Sequence, residues 1–147
     1  MHFLLPLVLT ALALLPVISP GPPSAVLVRK VIDGVTLEAS GVGRVRLLGV
    51  AAAPGQEARD RLASLVVLRW VRLEYDAAAP ATSARHAAYV VRDDGVLVNA
   101  EVVREGLARV TGKPSLARFE ELRRAEREAQ QLHRGIWAQG VPRLHAR

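Results

Sequence analysis

The chain contains no cysteine among its 147 residues. No disulfide can staple it and no thiolate can hold a metal, although this does not separate an oxidising compartment from a reducing one. Lysine is almost missing as well. Only Lys30 and Lys113 occur, so the net charge of +6 is carried by arginine. Residues His2–Ile18 hold no charged side chain, and every charge lies after Ser24. No internal repeat and no interdomain linker interrupts the rest, which leaves length for one compact domain.

What is present at the N-terminus is an apolar run, His2–Ile18, broken by Pro6, Thr10 and Pro16. It leads into Ser19-Pro20-Gly21-Pro22-Pro23-Ser24, which cannot propagate a helix. A full membrane span takes about 20 apolar residues, so residues 1–24 read as an export signal or an N-terminal membrane anchor. No basic residue precedes the apolar core and no small-x-small cleavage site stands out. Residues 25–147 form the folded domain. An arginine-dominated positive charge suits phosphate-bearing partners, because a guanidinium fork matches phosphate oxygens two bonds at a time. An Arg- and Ala-rich composition without functional meaning has the same signature.

From Ala25 the pattern is that of strands. Val26, Val28 and Val31 lead to the Asp33-Gly34 turn signal, and Val35 and Leu37 follow it. Gly41-Val42-Gly43 marks a second turn. Arg44–Val50 alternates, which places Val45, Leu47 and Gly49 on one face and Arg46, Leu48 and Val50 on the other. A helix over 56–67 buries Ala58, Leu62, Leu65 and Val66. Strands follow at 71–75 and 87–92, separated by a loop over 77–84 and closed by the Asp94-Gly95 hairpin turn. Asn99 is placed to cap a short helix ended by Gly106. Ser115 is placed to open the longest helix, with Phe119, Leu122, Ala125, Ala129 and Leu132 buried. Glu120/Arg124 and Arg124/Glu128 are spaced as pairs on its wet face. Gly135 stops that helix, and Ile136-Trp137 packs back. Short strands with helices inserted late predict an α+β, mainly β architecture: a five-stranded oligonucleotide-binding (OB-fold) barrel with three helices.

Five segments carry a family resemblance over 26–139. They are Val31-Ile32-Asp33-Gly34-x-Thr36, Val45-Arg46-Leu47-Leu48-Gly49-Val50, Gly55-Gln56-Glu57-Ala58, Val98-Asn99 through Gly106-Leu107-Ala108, and Leu122-Arg123-Arg124-Ala125-Glu126 through Gly135-Ile136-Trp137. In this order they resemble the staphylococcal nuclease (thermonuclease) family, which implies the same barrel. The resemblance also implies phosphodiester hydrolysis by one calcium ion, two arginines and a glutamate. Calcium takes oxygen ligands, mainly carboxylates, and the arginines stabilise the charge of the transition state. The arginine positions are Arg46 and Arg85, candidates both for catalysis and for nucleic-acid binding. Arg85 precedes His86-Ala87-Ala88-Tyr89, where the family has Arg-x-Leu-Ala-Tyr.

The carboxylate positions depart from the family. They fall on Val35 and Ala51, with Ala52 beside them, so no metal ligand and no cofactor is expected. Pro54 runs straight into Gly55-Gln56-Glu57, so the loop that would carry the glutamate is short and lacks it. Glu57 opens a helix, where it suits the dipole. Asp33 suits bending the chain before Gly34. Ser83 stands where the family has a tyrosine, and Thr111-Gly112-Lys113-Pro114 has no aromatic to stack a base. His2, His86, His133 and His145 are too scattered for a replacement metal site. These readings favour an exported or membrane-tethered domain, degenerate as an enzyme, that binds an anionic partner such as nucleic acid or another polymer, or a protein. A calcium-dependent endonuclease on DNA or RNA and a structural envelope module without ligand are the alternatives.

Overall fold

The computed structural model describes residues 25–81 and 86–140, without the side chains of 139 and 140. The leader, Arg85, Ser83, His2 and His145 lie outside the described residues. The order is β1 (Ala25–Asp33), β2 (Thr36–Ala39), β3 (Gly43–Leu47), β4 (Val50–Ala52), α1 (Gln56–Val66), β5 (Trp70–Glu74), β6 (Ala87–Arg92), α2 (Val98–Arg104), β7 (Ala108–Val110) and α3 (Phe119–Gln131). A 3-10 segment, Gly135–Gly140, ends it. Five strands close a barrel in the order β1-β2-β3-β6-β5, with β3 and β6 parallel and the other pairs antiparallel. The expected five-stranded barrel with three helices is therefore present. β4 and β7 form a separate two-stranded ribbon that the sequence pattern did not announce.

The core is aliphatic, as the composition requires. Val28, Leu37, Val45, Leu47, Leu62, Val66, Val90, Val98, Val102 and Leu122 are among its fully buried side chains. Val28 and Val31 both point inward although three residues apart, because the β1–β2 register shifts between them. α1 buries Ala58, Leu62, Leu65 and Val66, as its spacing predicts.

Expectations are corrected in three segments. The alternation over Arg44–Val50 breaks after Leu47: Gly49 adopts φ +78, and Leu48 and Val50 are both buried. A left-handed residue reverses the chain and resets which face points inward. The longest helix opens at Phe119, not at Ser115, because the segment before it is pinned elsewhere. Leu116 is buried, and the Ala117 N–H donates to Asp76 Oδ2 at 2.7 Å. The helix also ends before Leu132, which is 54% exposed, and the following His133 has φ +49. On its wet face Glu128 pairs with Arg104 and Arg134 and Glu121 with Arg118, while Arg123 pairs with the buried Glu126. The Glu120/Arg124 and Arg124/Glu128 pairs do not form.

Asn99 is the third correction. Leu97 occupies the cap position of α2, and Asn99 lies one residue inside the helix with 0% exposure. Its amide joins two strands. Oδ1 accepts from Val90 N–H at 2.9 Å, and Nδ2 donates to Leu48 O at 3.0 Å and Ala88 O at 3.2 Å. The parallel pairing of β3 with β6 spans only Arg46↔Ala87 and Leu47↔Ala88. Beyond it the chain turns away at Gly49, and Asn99 takes up backbone groups that the ladder no longer reaches.

Two further ties hold the helices to the barrel. The Asp76 carboxylate accepts from Ala117 N–H, Ala78 N–H (2.9 Å) and Tyr89 Oη (2.9 Å). Those donors hold Asp76 below its ordinary pKa, while burial pushes the Tyr89 phenol up to about 12. Gly106 and Gly135, both expected as helix stops, also meet each other. A Cβ on Gly106 would fall 2.1 Å from Arg134 O, and the Ile136 N–H donates to Gly106 O at 3.0 Å. Trp137 folds back under Arg109, whose guanidinium sits 4.7 Å from its ring.

Replacing Asn99 with alanine strands the buried Val90 N–H and Leu48 O. The expected cost is about 2–3 kcal/mol, read as a lowered midpoint in chemical denaturation with an unchanged slope. Asp76 contributes stability that is present above its unfolded pKa and lost as pH falls through its lowered folded value. Thermal melts from pH 7 to pH 3 should therefore show a lower Tm for Asp76→Asn at neutral pH, and a shallower acid limb than the parent chain.

Candidate functional site

β3 is extended because Val45 and Leu47 fill the core from one side. The same alternation throws Arg46 outward, opposite Thr36 of β2 and Ala87 of β6. The Arg46 backbone N–H donates to His86 O at 2.6 Å, which seats the residue at the mouth of the parallel pair. Its guanidinium is exposed and has no ion pair among the described residues.

Arg46 borders an open cleft of about 230 Å³. Its floor is Leu47–Val50, and the segment around Ala78 and Thr111–Lys113 with Leu116 complete the walls. Gly49 and Gly112 set the depth. The Thr111 and Gly112 N–H groups both donate to Gly49 O, at 2.9 and 3.2 Å, and a Cβ on Gly112 would lie 2.4 Å from Leu116 Cδ1. Lys113 brings a second exposed cation to this rim, again unpaired among the described residues. The sequence pattern did not single out Lys113 as a site residue. The only hint was its position in the short stretch that lacks the family's aromatics. Arg85 lies outside the described residues, so its place relative to Arg46 is left aside.

The positions of the expected acidic cradle lie where the β1–β2 turn, the end of β4 and the start of α1 meet. Val35 is 3% exposed and belongs to the core, Ala51 is half-buried and Ala52 is exposed. The Asp33 carboxylate is turned onto its own loop, where Oδ1 accepts from Val35 N–H at 2.8 Å, as an Asx turn does. Gly34 is wedged between methyl groups. A Cβ there would fall 2.7 Å from the Ala58 Cβ and 3.0 Å from that of Ala52. Calcium requires several oxygen ligands at 2.3–2.6 Å, and a surface of valine, alanine and glycine does not fit that requirement. Among the described residues, no group of three or more His, Asp or Glu side chains is arranged to hold a metal. Glu57 sits in the first turn of α1, exposed, behind the Gly55 cap. His86 and His133 are exposed and lie on different elements.

The arrangement offers two cations above an apolar cleft floor, without a carboxylate facing them from the cradle. Arg46 can supply a two-donor fork to a phosphate or carboxylate, and Lys113 a point charge.

No curated protein matches the chain. The family model described as staphylococcal nuclease homologue matches residues 40–139. That match covers β3 through the end of α3, including the parallel closure of the barrel, the cleft and the ribbon. By sequence and by architecture, this chain belongs to the staphylococcal nuclease family.

Proposed function

We propose that this domain keeps the thermonuclease fold without its metal-assisted hydrolysis. It acts by binding an anionic partner at the Arg46–Lys113 cleft, and residues 1–24 export it or tether it to a membrane. The observation that carries this reading is the filling of the cradle: Val35 is part of the core, and Gly34 lies against Ala52 and Ala58. Hydrolysis of a phosphodiester needs a group to take the proton of the attacking water and cations to neutralise the developing charge. Arg46 meets part of the second need; for the first, Asp33 is held by its own turn and Glu57 sits in the first turn of α1. Losing one preorganised charge-stabilising group commonly costs about 10²–10³ in rate, and here both metal carboxylates and the glutamate are replaced together. Binding makes smaller demands. Exposed cations at a concave rim satisfy a phosphate without any metal, and a polymer of repeating phosphates such as single-stranded nucleic acid fits that rim.

The full-length protein in mild detergent is expected to leave single-stranded DNA intact whether calcium or a chelator is present. Cleavage that both the chelator and Arg46→Ala abolish would restore the calcium-dependent nuclease reading. Binding is expected to weaken steeply with salt. Arg46→Ala/Lys113→Ala should reduce the slope of log K against log salt by about 1.4, the value for two phosphate contacts on a single strand. A slope unchanged by the double variant places the anionic partner elsewhere.

A further inference from the structure

The end of the barrel away from the cleft carries a different surface. β3 connects the two: Leu47 lies at the cleft, and Gly43, at the other end of the strand, is roughly 13 Å away at 3.3 Å per residue. Two turns meet around the β1 segment Leu27–Arg29. From one side Leu68 N–H donates to Val28 O and Val28 N–H to Arg69 O; from the other, Ser40 N–H donates to Leu27 O. Both turns hold apolar side chains out into solvent. Leu68 is 73% exposed, Trp70 56% and Val42 42%. Trp70 sits opposite the half-buried Leu27 on the outer face of the β5–β1 pair.

Leu68 is held outward at a cost. It has φ +57, a left-handed backbone that a leucine adopts at a penalty of about 1–2 kcal/mol and a glycine does not. The charges around these tips are mostly basic. Arg29, bonded to Ser40 Oγ at 2.8 Å, and Arg44 and Arg69 are all exposed. The acidic neighbours set by the strand registers are Glu38, which pairs with Lys30, and the Asp93–Asp94 turn, in which Asp94 pairs with Arg92. The leader joins here too. Ala25 pairs with Arg72, two positions along from the Leu27–Trp70 pair. The six residues Ser19–Ser24 between the uncharged run His2–Ile18 and Ala25 span at most about 20 Å.

We propose that this face, Leu68, Trp70 and Val42 within a rim of Arg29, Arg44 and Arg69, docks on the surface of an anionic lipid bilayer. Tryptophan and leucine enter the headgroup boundary while arginines meet the phosphates. The inference rests on the tether reading of residues 1–24 and is independent of what the cleft binds. Docked in this way, the domain turns the Arg46 cleft away from the membrane.

The test uses the full chain reconstituted into vesicles containing phosphatidylglycerol, with brominated acyl chains as tryptophan quenchers. Trp70 emission should be lost to the quencher, as expected of an indole at the headgroup boundary. Trp70→Phe should remove the quenchable component and leave Trp137. Changing to phosphatidylcholine alone, or Arg29→Gln/Arg69→Gln, should restore the emission, at roughly fivefold in the docking equilibrium per arginine. Leu68→Gly separates docking from folding: it should raise Tm by relieving the left-handed leucine and at the same time reduce quenching. A chain that does not float with vesicles overturns the tether reading and the docking face together. A chain that floats with Trp70 unquenched, or whose quenching ignores both lipid charge and Leu68→Gly, overturns the docking face alone.

Discussion

The architecture depends on the buried amide of Asn99. A barrel built mainly from antiparallel hairpins closes here through one parallel pair, β3 with β6, and that pair is only two residues long. Short pairings leave orphaned backbone groups at their ends, and a buried orphan costs about as much as a lost hydrogen bond. Asn99 supplies both an acceptor and a donor at that junction, from a helix whose own face is buried on Val98, Val102 and Val103. It thereby fixes where β3 ends, where Gly49 turns, and so where Arg46 and the cleft floor are placed. Asp76 does comparable work at Tyr89 of the same strand, joining the chain after β5 to β6 and to the segment before α3.

The same packing logic accounts for the cradle. In a metal enzyme, the turn between the first two barrel strands has to leave room for ligands and bear the repulsion between their charges. Here that volume is occupied by close methyl contacts around Gly34 and by Val35 in the core. Asp33, a carboxylate beside that turn, is committed to a backbone N–H of its own loop. Stability gained from apolar contact and the chemistry of a charged site draw on the same few positions. This chain has taken the first.

The barrel has two functional ends in this reading, joined by one strand. At one, Arg46 and Lys113, without ion pairs among the described residues, stand over an apolar floor. At the other, turns project Leu68 and Val42 beside Trp70. Elsewhere several of the described arginines are held in ion pairs, with Arg61 on Glu105, Arg72 and Arg118 on Glu74, and Arg104 on Glu101 and Glu128.

Much of this was legible in the linear chain. Turn signals at Asp33-Gly34 and Asp94-Gly95, the 3.6-residue spacing of α1 and the glycine stop at 106 are local chemistry, which a sequence encodes directly; the stop expected at Gly135 fell earlier, at His133. The substitution of Val35 and Ala51 for carboxylates is likewise a matter of residue identity, needing only the family resemblance to locate it. Other features depend on partners distant in sequence. Asn99 looked like a helix cap because capping is the local use of asparagine; its actual bonds reach Leu48, 51 residues away. Leu48 and Val50 were placed on the face of Arg46 because alternation assumes an unbroken strand, and only the contact of Gly49 with the 111–116 segment reveals the reversal. Ser115 lost the helix start to the tie between Asp76 and Ala117. Lys113 joined the cleft for the same reason, since no spacing rule links it to Arg46. The sequence by itself determined the barrel, its helices and the apolar residues Val35, Ala51 and Ala52 at the cradle. Which cations face a cleft, and which apolar side chains face solvent, was decided by tertiary closure, because both follow from hydrogen bonds between segments that only the folded chain brings together.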